Sequence, residues 1–281
     1  FPVTYAEMGM LQFTLERPVT EDICLKGGSA FNSVPSSARA VLPAELEEDV
    51  RAAVVKSANQ SMYTVENTDE GVVLHVKGIG AHAACPKDGK NAISYMMELL
   101  SELPVTGELK EIVEFYRRYF GTSLFGENMG IAVSDADCGP LTLNVGKISV
   151  EGRKLTICCD SRIPVSVEVN QIAEKIRTAV ADSGYDFHVT SKEDPLYIPK
   201  DSYLVTTLME AYQKVTGDME SQPMASGGAT YSRTIGNCVA FGCLLPDQED
   251  TMHQANEYLE LSKLEIWLKI CLEAIYQLAR E

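Results

Sequence analysis

A chain of 281 residues, 45% of them apolar, can bury one large core or two modest ones. Its formal charge of −16 at pH 7 argues against nucleic acid or an anionic membrane as a partner, since basic surfaces hold both. Nothing reads as a charged-then-apolar leader or as an apolar run of membrane-spanning length. The eight cysteines form no Cys-x-x-Cys pair, which fits reduced thiols of a cytoplasmic protein better than a disulfide framework or a thiolate zinc site.

The opening residues, Phe1-Pro-Val-Thr-Tyr, read as the middle of a strand, so a natural N-terminus is not expected there. Residues 46–58 place Leu46, Val50, Ala53 and Val54 at helical spacing after the Pro43-Ala-Glu lead-in. Tyr63–Glu66 and Gly71–Lys77 alternate around Asn67-Thr-Asp-Glu-Gly71, which predicts a hairpin. A helix over about 90–103 carries Ile93, Met96, Met97, Leu100 and Leu103 on one stripe. With a strand before residue 46, this order suggests a small open-faced α/β sandwich.

A similar order returns as strands at about 141–150 and 154–160 around Glu151-Gly-Arg153. A helix follows at about 169–183 with Ile172, Ile176 and Val180, and after Gly184 comes a strand over Tyr185–Ser191. Two such units side by side would make one broad inserted domain, although no residue-level repeat accompanies them. From about 195 the texture changes. Asp201-Ser202 can cap a helix with Leu204, Leu208 and Val215 inward and Gly217 past its end. A strand, Cys238–Phe241, follows the Gly227-Gly228 turn. The last helix, about 257–279, runs through Leu264, Trp267, Leu268, Cys271, Ile275 and Leu278, as in the closing part of an α/β domain.

Among the four histidines, His253 is the strongest candidate for chemistry. It follows Glu249 and Asp250 and precedes Glu257, so a carboxylate can orient its second ring nitrogen in a metal-ligand role; a surface histidine in an acidic loop is the alternative. His82 lies in Gly78-Ile-Gly-Ala-His-Ala-Ala-Cys-Pro86, a sharply turning loop able to present an imidazole to an oxyanion. On the residues alone, a histidine capping the helix near Asn91 is the simpler reading. His75 and His188 read as solvated strand residues. Asn32, between Gly27-Gly28 and Pro35, is either a rigidly held donor or an ordinary turn residue, and the turn reading prevails. Arg162, ending an apolar strand, can clamp a carboxylate bidentately or pair with Asp160 on its own face. Gly227-Gly228 lets backbone approach a ligand, but no Gly-Lys-Ser/Thr follows, so it is not a phosphate loop. Ser226 has no local His or Asp partner and is a poor nucleophile.

Five of these motifs in order resemble one family: Lys26-Gly-Gly-x-x-x-Asn32-x-Val-Pro, Gly80-Ala-His82-Ala-x-x-Pro86-x-x-Gly89-x-Asn91-Ala, Asp160-x-Arg162-x-Pro164, Gly227-Gly-x-Thr-Tyr-x-Arg233 and Glu249-Asp-x-x-His253-Gln-x-x-Glu257-Tyr. The family is the co-catalytic zinc peptidases related to aminoacylase and carnosinase, with the PepV-type dipeptidases nearest. The resemblance implies an α/β fold: a partial catalytic domain at 1–8 and 195–281, and a large inserted α+β lid at 9–194 built of two ferredoxin-like units. It implies two zinc ions in the intact parent and a dipeptide substrate. A double-sized lid standing in for a partner subunit implies a monomer. Carried over by residue, His253 ligates one zinc, and His82 and Asn32 polarise the scissile carbonyl. Arg162 binds the substrate's free carboxylate, and the Gly227-Gly228 backbone lines the cleft. Glu257 reads as the outer partner of His253.

The family's remaining ligands and its catalytic glutamate would all precede Phe1. Each zinc takes about four ligands, so this chain without that N-terminal catalytic segment is expected to be inactive. In the parent, zinc-bound hydroxide would attack the peptide carbonyl. Two alternatives stand: an amidohydrolase of the same family acting on an N-acyl amino acid, acetylornithine or succinyl-diaminopimelate, and a non-catalytic peptide-binding relative. Lid length favours the dipeptidase. An isolated lid with part of its base is a third reading.

Overall fold

The computed structural model describes residues 1–249, 251 and 256–280. The chain divides into two units, Gly9–Asp194 and the pair of segments Phe1–Met8 with Pro195–Glu281.

In the larger unit, eight strands make one continuous sheet. They are β1 (Gly9–Pro18), β2 (Cys24–Gly28), β3 (Ser37–Leu42), β4 (Tyr63–Thr68), β5 (Gly71–Lys77), β6 (Thr142–Glu151), β7 (Lys154–Ile163) and β8 (Asp186–Glu193). Their order is β8-β1-β7-β6-β2-β3-β5-β4, and every pairing is antiparallel. The predicted hairpin at 63–77 is present, and the strands predicted at about 141–150 and 154–160 pair across Glu151-Gly-Arg153, so local turns set part of this order. The β6–β2 pairing joins strands far apart in sequence and makes one sheet of what could have been two.

Alternation gives the sheet two different faces. Leu11, Phe13 and Leu15 of β1, Ala38, Ala40 and Leu42 of β3, and Leu155, Ile157 and Cys159 of β7 enter the hydrophobic core. That core is completed by α1 (Glu47–Lys56), α2 (Ala92–Ser101), α3 (Gly107–Tyr119) and α4 (Val169–Val180). Gln12, Thr142, Asn144, Asp160 and Arg162 fall at the intervening positions and line the other face. Helix α3 is not among the predicted elements, although Leu109, Ile112, Val113 and Tyr116 have helical spacing. It packs beside α2 through a 2.8 Å hydrogen bond between the Tyr116 and Ser94 hydroxyls, and its Phe115 ring stacks on Tyr185.

In the smaller unit, Val3–Glu7 pairs antiparallel with Leu196–Tyr197 and Ala240–Phe241 and parallel with Met224–Ser226. Helix α5 (Tyr203–Thr216) begins where the Ser202 hydroxyl accepts the Val205 N–H at 3.3 Å. Helix α6 spans Leu261–Leu278, starting later than the predicted 257. Its buried residues are Ile270 and Ala274, whereas Leu268 and Ile275, both among the apolar positions read along it, are 55% and 66% exposed. Glu265, Lys269, Glu273 and Gln277 repeat every four residues along it, so its periodicity sets an apolar stripe that includes the exposed Leu268 and Ile275. Among the described residues, no helix is long and apolar enough to cross a membrane.

Just past α5, Asp218 accepts hydrogen bonds from the Ser221 hydroxyl (2.5 Å), the Tyr212 hydroxyl (2.7 Å) and two backbone N–H groups. These bonds hold its pKa well below the carboxylate range, while burial and the bond to Asp218 push the Tyr212 phenol up to about 12. A depressed folded pKa means stabilisation present above the unfolded carboxylate pKa of about 4 and lost as pH falls toward the folded value. Asp218→Asn should therefore lower Tm at pH 7, and the gap to the unsubstituted chain should narrow in melts below about pH 3. Equal Tm values at pH 7 would show that the cluster contributes nothing.

Candidate functional site

The larger unit brings three of the predicted site residues together. Between β5 and α2 the chain closes a loop on itself, with Ile79 and Lys90 exchanging backbone hydrogen bonds at 3.0 and 2.8 Å. Within the loop, Ala81–His82 forms a short ladder with Ser33–Val34, placing His82 opposite Ser33. The Ala83 N–H donates to the Asn32 carbonyl at 3.0 Å. The Asn32 turn and the His82 loop are thus stitched side by side, and both side chains are exposed. Gly28 leads into that turn with φ of +67°, and a Cβ there would lie 2.0 Å from the Gly146 carbonyl oxygen, so the chain needs glycine.

The ring of His82 has a defined orientation. Ala84 N–H donates to its Nδ1 at 3.2 Å, which makes that nitrogen the acceptor and leaves the proton of the neutral imidazole on Nε2. An Nε2–H donor on an exposed loop can meet a developing oxyanion. His82 does not cap the helix: Asn91 does, its Oδ1 accepting from Ile93 and Ser94 N–H at 3.0 and 3.3 Å.

Arg162 lies on the polar sheet face, directly opposite Thr142 in the β6–β7 ladder. The Thr142 hydroxyl donates to the Ala83 carbonyl at 3.2 Å, so Arg162 stands one cross-strand step from the His82 loop. Its guanidinium pairs bidentately with Asp160, Nε to Oδ1 at 2.8 Å and Nη2 to Oδ2 at 3.0 Å. Gln12 Nε2 donates to the same carboxylate at 2.8 Å. Asp160 is fully buried and Arg162 nearly so. A buried charge pair is tolerable when its remaining lone pairs are bonded, and this network holds the guanidinium plane in one orientation.

The Gly227-Gly228 turn belongs to the smaller unit. Gly228 N–H donates to the Ser226 hydroxyl at 3.0 Å. The segment after it is fixed by Glu7, whose buried carboxylate accepts the Thr230 N–H (3.0 Å), the Thr230 hydroxyl (2.5 Å) and Arg233 Nε (2.7 Å). Arg233 Nη2 also donates to the Gly228 carbonyl at 3.3 Å. Glu7 is absent from the sequence reading; its signal is a lone carboxylate closing an apolar strand. His253 and Asp250 lie outside the described residues, and Glu257 is exposed. Among the described residues, no group of three or more His, Cys, Asp or Glu side chains is placed to hold a metal ion. By themselves they do not fit zinc, which takes about four ligands.

Residues 70–186 match the M20 peptidase dimerisation domain. Over its whole length the chain is 33% identical to a "Putative dipeptidase" of Staphylococcus epidermidis and to another of Staphylococcus haemolyticus. It spans 62% of the length of these two curated relatives. Among solved structures, the aminoacylhistidine dipeptidase of Vibrio alginolyticus aligns with 99% of this chain and 63% of its own, at 12% identity and a TM-score of 0.49. Human carnosine dipeptidase 1 aligns with 100% of this chain and 57% of its own, at 12% identity and a TM-score of 0.47.

Above about pH 7.5, where imidazole is neutral, long-range 1H–15N correlation spectra should show His82 in the Nε2–H form. A dominant Nδ1–H tautomer would contradict the Ala84 hydrogen bond.

Proposed function

We propose that this chain supplies the substrate-clamping side of a metal-dependent dipeptidase. The observation that carries the proposal is the convergence of Asn32, His82 and Arg162 at one face of the larger sheet, with His82 held so that Nε2 is its donor. In this reading His82 and the Asn32 amide polarise the scissile carbonyl and donate to its oxyanion as negative charge develops. Arg162, aligned by Asp160, binds the free carboxylate of the dipeptide, a planar target for a planar donor. The backbone at Gly227-Gly228 lines the cleft. His253 is a ligand to one of two zinc ions, the other donors lying outside the described residues. The chemistry such a metal would supply when bound is a lowered pKa for a water molecule.

Similarity along the whole chain to proteins named as dipeptidases supports this substrate class. The same reading makes 9–194 a lid built of two ferredoxin-like halves, and 1–8 with 195–281 part of the catalytic domain. The strand orders β8-β1-β7-β6 and β2-β3-β5-β4 support the two halves. Because one chain carries both, the enzyme is a monomer in this reading; light scattering giving twice the chain mass would overturn that part. The same reading places the protein in the cytoplasm, where its eight thiols would stay reduced.

In the complete protein, His82→Ala should lower kcat for dipeptides by about 10²–10³-fold, the cost of one oxyanion donor. Arg162→Ala should mainly raise KM, and should do so much less for a dipeptide amide lacking the free carboxylate. Wild-type kinetics in both variants, or faster turnover of N-acyl amino acids than of dipeptides, would overturn the reading.

A further inference from the structure

The polar face of β6 carries Thr142, Asn144 and Gly146 at alternate positions, and all three meet the two loops that hold Asn32 and His82. Asn144 is 2% exposed. Its Nδ2 donates to the Phe31 carbonyl at 3.1 Å and to the Ser33 carbonyl at 2.9 Å, the residues on either side of Asn32. Its Oδ1 accepts from Asn91 Nδ2 at 3.2 Å, and Asn91 Nδ2 also donates to the Val145 carbonyl at 2.9 Å. Both hydrogens of the Asn144 amide are thereby used and its oxygen is engaged, so the amide has one permitted orientation. Two residues back along the strand, on the same face, the Thr142 hydroxyl donates to the Ala83 carbonyl of the His82 loop.

Gly146 completes the cradle by having no side chain. A Cβ at that position would lie 2.3 Å from the carbonyl oxygens of Ala30 and Phe31. Gly146 falls at the register irregularity between Val145 and Lys147, where β6 departs from regular pairing with β7. The two carbonyls bonded to Asn144 flank Asn32, and Ser33 also stands opposite His82 in the short ladder. A buried side-chain amide in a strand otherwise made for packing is costly unless bonded, and these bonds go to the neighbours of one exposed residue.

We propose that Asn144, assisted by Thr142 and Gly146, is a positioning residue for Asn32 and His82. It fixes the separation and direction of the two donors before substrate arrives. The inference rests on the functional reading above. Asn144 touches neither substrate nor metal in it, and acts only through the two loops. Preorganised donors contribute more than mobile ones because no reorganisation is needed as charge develops.

The test uses Asn144→Asp and Thr142→Val in the complete protein. Asn144→Asp keeps the side-chain volume and the acceptor for Asn91 but turns a carboxylate oxygen toward two carbonyl oxygens. It should lower kcat for dipeptides by about 100-fold, as expected for a donor displaced by about 1 Å, with KM changed less than about threefold. Combined with His82→Ala it should cost little more than His82→Ala alone, because both changes act through one donor set. Hydrogen exchange at the Ala83 amide should speed up while the amides of Leu155 and Ile157 in β7 keep their protection. Thr142→Val should give a smaller loss in kcat, about tenfold, with the same selective exchange.

Wild-type kcat in a folded Asn144→Asp protein would overturn the inference. Should Asn144→Asp fail to fold, Thr142→Val decides: wild-type kcat and unchanged Ala83 exchange there would overturn it. A functional reading that fails is recognised separately, by wild-type kinetics in both His82→Ala and Asn32→Ala. Faster Ala83 exchange in Asn144→Asp would then still support its hold on the loops.

Discussion

The pairing of β6 with β7 fixes the larger unit. The turn at Glu151-Gly-Arg153 aligns two ten-residue strands, and their outer edges recruit β2 on one side and β1 on the other. Side-chain alternation then gives each strand a core-facing row and a polar row. The core-facing row buries Leu143, Val145, Ile157 and Cys159 against the helices. The polar row aligns Thr142 with Arg162 and Asn144 with Asp160. A slip of one residue would exchange the rows, placing a buried charge in the hydrophobic core, so the same apolar burial that stabilises the sheet fixes the site's geometry.

Burying polar groups in that second row is the cost of the arrangement, and hydrogen bonding offsets it. Asp160 receives three donors from two side chains, and Asn144 is bonded through both ends of its amide. Removing one member would leave its partners desolvated, a loss of about 1–3 kcal/mol for a neutral group and more for a charge. This asymmetry links stability to the proposed function: the contacts that make the face tolerable also orient Arg162 and the loops bearing Asn32 and His82. In the smaller unit Glu7 does the corresponding work for the segment after Gly227-Gly228, with Thr230 and Arg233 as its donors.

Legibility in the sequence followed the range of the interaction. The hairpins, α1, α2, α4 and α5 show in periodicity, and the Ser202 cap shows in residue type, because each depends on neighbours a few positions apart. Helix α3 has the same periodic signal, but it lies in a stretch without an assigned element. Helix α6 is visible as a helix, yet its covered face is not: the apolar stripe includes the exposed Leu268 and Ile275, and packing covers Ile270 and Ala274. For the candidate site, the residues alone leave Arg162 open and favour a turn residue at Asn32 and a helix cap at His82; the resemblance of whole motifs is what singles them out. Asn144 is not singled out, because one asparagine in Leu-Thr-Leu-Asn-Val-Gly carries no local pattern.

The sequence by itself determined the acidic character of the chain, most of its local elements, and the residue types able to hold an oxyanion or a carboxylate. Those properties are set by composition and by spacing along the backbone. Only the tertiary structure decided that β6 and β2 join into one sheet and that Asn91 rather than His82 caps α2. It also decided that Ala84 leaves Nε2 as the His82 donor, and that residues 31–33, 83 and 144 meet. The physical reason is distance along the chain: hydrogen bonds between segments some 60 to 110 residues apart depend on sheet register and packing, which no short window of sequence encodes.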